Sequence, residues 1–317
     1  MKPNYKEDER AKAVKLILNS QIFDNDKAGK SFMGKPRDFV LLDEMKNIFE
    51  PIRNDVLEYF SDNQISWWHG TKPTGHVLSS QIACLNHLFR IRNDARLVLE
   101  ILKTISHDFV EVLEIKTDKQ QAGFFQFEAI SDKDHLNEGQ PTRGSNCTSI
   151  DALMYAKHRD GSKWLIPIEW KYTEYYNNQN KAKEGFENCK GEERKSRYTQ
   201  LINNSNQLVT ENHFCYYFEP FYQLMRQTLW VEQMIKNKYQ ETLEASNYLH
   251  IHVIPSENKT LLEKIYKCSG KNMETTWKSM LKDPNKYRIV SPKELLGNSL
   301  NDSKYNKLKS YLMKRYW

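Results

Sequence analysis

Residues 150–171 constrain this chain more than any other stretch. They run from Ile150 to Ala156, turn through His158-Arg159-Asp160-Gly161, and continue from Leu165 to Lys171. Two runs rich in β-branched, aromatic and apolar residues, separated by turn-forming residues, predict a hairpin whose strands are neighbours. Side chains alternate between the faces of a strand, so Glu169 and Lys171 point one way while Ile166, Ile168 and Trp170 point the other. Asp151 shares a face with Leu153 and Tyr155. Because it begins its strand, antiparallel pairing brings it close to Glu169, which ends the next. One face is apolar, and the other carries two carboxylates beside an ammonium.

That pattern has a chemical meaning. Two neighbouring carboxylates raise each other's cost of ionisation. A divalent cation removes the cost, and carboxylate oxygens with waters are the ligands Mg²⁺ prefers. A lysine beside such a cation orients the attacking water and offsets charge that develops on a phosphate. The plainer reading is a solvated strand face with an ion pair at i, i+2. Glu114-Ile115-Lys116 shows that a lone E-x-K triplet arises readily where 28% of residues are charged.

The surrounding pattern separates these readings. Residues 8–20 and 40–60 carry apolar residues at helical spacing, interrupted by Pro51, and predict amphipathic helices. A Gly and Pro loop then leads to Ser79 and Ser80, candidate N-caps of one long helix reaching about Leu102. From Phe109 the period shortens, and residues 109–171 read as a run of strands. Residues 174–200 lose apolar periodicity and read as an exposed loop with helical pieces. Phe221 to Leu243 is strongly helical, residues 247–256 read as a further strand, and the rest reads as mainly helical. The order is that of a mixed α/β core with helical additions.

Asp151, a hairpin and then Glu169-Trp170-Lys171, preceded by a helix and followed by helix and strand, resembles the PD-(D/E)XK, or restriction-endonuclease-like, nuclease superfamily. Ile150 stands where that motif's name has proline. The resemblance implies an α/β restriction-endonuclease-like core with a central mixed β-sheet flanked by helices over residues 79–255. A helical N-terminal extension (1–78) and a mainly helical C-terminal extension (256–317) lie outside it. It also implies an Mg²⁺-dependent endodeoxyribonuclease, with Mn²⁺ as the substitute ion. Asp151, Glu169 and the backbone carbonyl of Trp170 would hold the metal, and Lys171 would position the water. Glu128 is the candidate for a third acid, in competition with Glu100 and Glu114.

The segments Ser79–Phe89, Arg143–Asp151 and Phe218–Met234 resemble restriction-endonuclease-like proteins of bacteria. By that resemblance Gln81 and Asn86 belong near the site and Arg143 contacts phosphate. Lys157 is a further phosphate candidate and Gln200 an extension of the site. DNA is the implied substrate and RNA stays open as an alternative. Cleavage of both strands would call for a homodimer. A nucleic-acid-binding or structural protein that keeps the fold without cutting is the other class.

Other chemistries lack their motifs. There is no GxxxxGK[ST] phosphate loop, no GxGxxG after a strand and no GxSxG elbow. His250 and His252 share a strand face but have no third ligand nearby in sequence, and the Trp67-Trp68 pair reads as packing. The net charge of +6 permits an anionic partner without requiring one. Five widely spaced cysteines without a CxxC pair argue against disulfide and cysteine-rich zinc frameworks. With no apolar run of the roughly 20 residues a membrane span needs and no signal-peptide pattern, the chain is expected in the cytoplasm, away from membranes.

Overall fold

The computed structural model describes residues 4–19, 21–68, 70–117, 121–139, 147–185, 189–212 and 214–317. Helices α1 (Tyr5–Asn19) and α2 (Arg53–Asp62) overlap the helical stretches expected at 8–20 and 40–60, but between 40 and 52 the chain forms only the 3₁₀ turns Glu44–Asn47 and Glu50–Ile52 in place of the expected helix. The stretch expected as one helix over 79–102 is instead two. Ser79 caps α3 (Ser80–Leu88), accepting the Ile82 N–H, and a 3₁₀ turn follows. Asp94 then caps α4 (Ala95–Lys103) by accepting the Leu97 N–H at 3.0 Å. Asn93 and Asp94 compete with the helix for backbone hydrogen bonds, which is why the break falls there.

The central sheet has seven strands: β1 (Phe109–Leu113), β2 (Gln126–Ala129), β3 (Ile150–His158), β4 (Lys163–Trp170), β5 (Asn247–Tyr248), β6 (His250–Val253) and β7 (Tyr287–Val290). The main order is β7-β6-β4-β3-β1, with β2 also on β3 and β5 also on β4. The hairpin is antiparallel, from Ala152 opposite Ile168 to Lys157 opposite Lys163. Strands β6 and β7 join it in parallel, so the sheet is mixed. Strand β7 comes from a region whose sequence reads as helical; four residues show too little alternation to betray a strand.

Two apolar layers cover the sheet. On one face, Ala152, Met154, Ile166, Ile168 and Trp170 pack with residues of α1 to α4 and of the C-terminal helix α7 (Asn306–Arg315). On the other, Leu153, Tyr155 and Leu165 pack with α5 (Lys190–Asn203) and α6 (Phe221–Lys236). Among the described residues no helix is long and apolar enough to cross a membrane.

Candidate active site

The hairpin register places Asp151 and Glu169 just past the last paired residues, Ala152 and Ile168. Here the pleat is irregular. Ile150 packs into the α6 layer and Ala152 into the α3 layer, although residues two apart in a regular strand share a face. On the adjoining β2, Phe127 and Ala129 diverge in the same way, and Glu128 between them has a φ of 47°. A non-glycine residue in that region is held there by its surroundings, a form of strain found at functional sites. The irregularity turns the acidic side chains toward the end of the sheet, between the layers. The pleat alone had placed Asp151 with Leu153 and Tyr155. Instead its carboxylate accepts the Trp170 N–H at 2.7 Å and lines a small cavity with Phe60, Cys84 and Phe127 of the α3 layer.

Glu169 and Lys171 are buried and form an ion pair at 2.5 Å. Both are held from α6: Lys171 Nζ donates to Gln223 Oε1 at 2.6 Å, and Gln227 Nε2 donates to Glu169 Oε2. From the opposite layer, Gln81 of α3 donates to Glu128 Oε1 at 2.7 Å, and Ser149 Oγ donates to Glu128 Oε2 at 2.8 Å. The site is thus three carboxylates and one ammonium, braced by amides from helices on both faces.

The electrostatics follow from that composition. Burial first, and then the charges of Glu169 and Glu128, push the Asp151 carboxyl well above the usual carboxylate range. Burial also raises Glu128; Gln81 and Ser149 oppose that rise. Burial works against the Lys171 ammonium, but Glu169 and other nearby groups hold it well above the ordinary lysine value. Burial and the three carboxylates raise the Cys84 thiol as well.

Crowded carboxylates of this kind fit a hard divalent cation. The N–H and C=O of one strand residue point the same way, so the Trp170 carbonyl faces the side on which its N–H meets Asp151. Two carboxylates and a carbonyl are therefore available as oxygen donors. Among the described residues no three or more His, Cys, Asp and Glu side chains are grouped closely enough to hold a metal by themselves. Carbonyl and water would complete the shell, as Mg²⁺ commonly requires.

The structure brings together Asp151, Glu169, Trp170, Lys171, Glu128 and Gln81, and it separates the others. Asn86 is fully buried and structural: its Oδ1 accepts the Phe49 N–H at 2.8 Å, and its Nδ2 donates to Asn47 O and the Tyr311 and Tyr316 hydroxyls. Lys157 stands six residues along β3 from Asp151, about 20 Å at strand rise, and is exposed beside Glu111. Gln200 is an exposed residue of α5. Arg143 lies outside the described residues. His250 and His252 are buried, and the His252 ring meets the Tyr287 hydroxyl at 2.8 Å. Gln223 and Gln227 are the residues that sequence reasoning missed. Their i, i+4 spacing puts them on one face of α6, the only local signal they carry.

A mixed sheet flanked by helices, with an acidic strand start facing an E-x-K strand end, defines a restriction-endonuclease-like protein. The family model described as "Restriction Endonuclease associating with ARP" matches residues 11–317. The chain belongs to that family. No curated protein and no solved structure matches it.

Proposed function

We propose that this chain is an Mg²⁺-dependent endonuclease that hydrolyses phosphodiester bonds in DNA. One observation carries the proposal: Asp151 and Glu169 meet across the end of the hairpin with Lys171 two residues on. Asp151, Glu169 and the Trp170 carbonyl would hold the cation, with Glu128 beside them and Mn²⁺ as a substitute. A cation so held supplies Lewis-acid polarisation of a phosphate oxygen and a more acidic water. Lys171 orients that water and offsets the charge that builds as the phosphodiester opens in line. Gln223 and Gln227 keep Lys171 and Glu169 aimed at the same point. The superfamily resemblance implies a 5′-phosphate product.

Membership of a restriction endonuclease family favours DNA over RNA, and a cytoplasmic location, where such an enzyme would meet its substrate, is part of the same reading. The family description adds an association with ARP, which we take as part of its working assembly. One site cuts one strand, so cutting both strands would take two copies.

A second reading, binding without cutting, draws on how closed the site is. Lys171 is committed to Glu169, and the cavity beside Asp151 holds about one water at roughly 10 Å³. The two readings separate on cleavage of plasmid and single-stranded DNA in Mg²⁺, Mn²⁺ or EDTA, with folded Asp151→Ala and Lys171→Ala beside the wild type. Metal-dependent cutting lost in both variants supports the nuclease. Wild-type protein that cuts neither DNA nor RNA supports the binding protein.

A further inference from the structure

The adjacent tryptophans have different environments. Trp67 is buried and stacks on Phe60 with centroids 3.9 Å apart, whereas Trp68 is 43% exposed. The backbone N–H of Trp68 donates to Gln81 Oε1 at 3.2 Å, and the Nε2 of the same Gln81 donates to Glu128 Oε1 at 2.7 Å. The backbone that carries this exposed ring is therefore joined to the carboxylate cluster through a single side chain.

That indole lines a cleft of about 560 Å³. One wall is the hairpin of residues 31–36, which contributes Phe32, and the other is the loop of residues 70–75. The Phe32 and Trp68 centroids are 5.9 Å apart, and His76 packs 4.7 Å from Phe32. Lys30 and Lys72 line the cleft, as does Glu44, which is paired with Lys30. At the hairpin tip Met33 is 77% exposed with a φ of 52°, an apolar side chain held outward.

The cleft is built in advance of any ligand. Gly75 O accepts the Leu41 N–H at 3.0 Å, and Asn47 Nδ2 donates to Thr74 O at 2.7 Å. The backbones approach so closely that a Cβ at Gly75 would meet Leu41 O at 2.6 Å. Its volume lies within the roughly 300–1,000 Å³ usual for ligand pockets. Aromatic rings suit the π-faces of unstacked bases irrespective of sequence, and lysines suit phosphates.

We propose that this cleft binds unpaired nucleotides of the nucleic-acid strand being processed, a base stacking on Trp68 and Phe32 and a phosphate meeting Lys72. The inference rests on the nuclease reading of the neighbouring carboxylates. It makes the substrate a strand with at least one unstacked nucleotide beside the cut. Exposed Met33 and Leu42 would also suit a protein partner, but the lysines and the connection through Gln81 to Glu128 favour a nucleotide.

The test measures binding of fluorescent oligo(dT) and of a blunt duplex of equal length in EDTA, where metal-dependent cutting is stopped. Wild-type protein should prefer oligo(dT). Trp68→Ala should weaken oligo(dT) binding by about 10- to 100-fold, the worth of one stacked base. Trp68→Phe, which keeps a ring, should recover most of it. Lys72→Ala should lower the salt slope by about one ion. A preference for duplex, or oligo(dT) binding unchanged in folded Trp68→Ala, overturns the proposal and leaves the face to a protein partner. Plasmid cleavage by the wild type in Mg²⁺ is scored separately. If cutting is absent while Trp68-dependent binding persists, the nuclease reading fails and the nucleotide cleft stands.

Discussion

Two buried polar clusters in this molecule are built on opposite principles. Around Asn86, amides, carbonyls and tyrosine hydroxyls satisfy one another, and one cation, Arg315, is held by Asn47 O at 2.6 Å and by the Tyr311 hydroxyl. That cluster ties α3 to the end of α7, and its one charge, the buried Arg315 guanidinium, is met by carbonyl and hydroxyl oxygens rather than by carboxylates. At the sheet end, Asp151 lies in the field of both Glu169 and Glu128, and Lys171 pairs with Glu169 alone, so carboxylates outnumber the ammonium. A network in which each donor finds an acceptor fixes a fold at little cost. A cluster with surplus carboxylates raises its own cost of ionisation, and a bound cation relieves that cost. The contrast distinguishes a structural knot from a site awaiting a ligand.

The largest expected effect concerns cutting. Asp151→Asn keeps an acceptor for the Trp170 N–H but removes a carboxylate, so Mg²⁺-dependent nicking should fall by about 100- to 1,000-fold or more. In EDTA the melting temperature of this variant should equal or exceed that of the wild type. Asn86→Ala should do the reverse. Stranding the Phe49 N–H and two hydroxyls should cost about 3 kcal/mol or more in a urea titration, while cutting per folded molecule is retained. If both variants lose stability and keep activity, the contrast collapses.

Smaller effects sharpen it. The carboxyl of Asp151 is raised in the folded protein, so its contribution to stability is present below the unfolded value and lost as pH rises through the folded one. Mg²⁺ should therefore raise the melting temperature more at pH 8 than at pH 5, read by thermal melts with and without EDTA. An increment independent of pH would mean the ion binds elsewhere. Gln227→Ala, which frees one oxygen of Glu169, should weaken Mg²⁺ binding by about 10- to 100-fold, measured by calorimetry, with little change in the fold.

The sequence made the hairpin legible because a two-residue period and a turn fix both pairing and register, and with them the meeting of Asp151, Glu169 and Lys171. Glu128 was readable as an acid near the site, but the backbone twist that aims it was not, since nothing local marks a positive φ there. Asn86 and Lys157 illustrate the limit of proximity along the chain. Asn86 lies on a face of α3 turned toward Asn47, Phe49 and the C-terminal helix, and Lys157 is at the far end of the right strand. Gln223 and Gln227 come more than 50 residues after Lys171, and a glutamine within a helix has no pattern that foretells its partner. Strand β7 was hidden by its brevity.

The most direct test of the central claim is a calorimetric titration of Mg²⁺ into wild type, Asp151→Asn and Asn86→Ala at pH 8 in the absence of nucleic acid. The surplus carboxylates predict saturable binding in the wild type, its loss in Asp151→Asn and its persistence in Asn86→Ala. Equal binding by wild type and Asp151→Asn would contradict the account, because the cation would then be held by groups other than those that meet at the end of the hairpin.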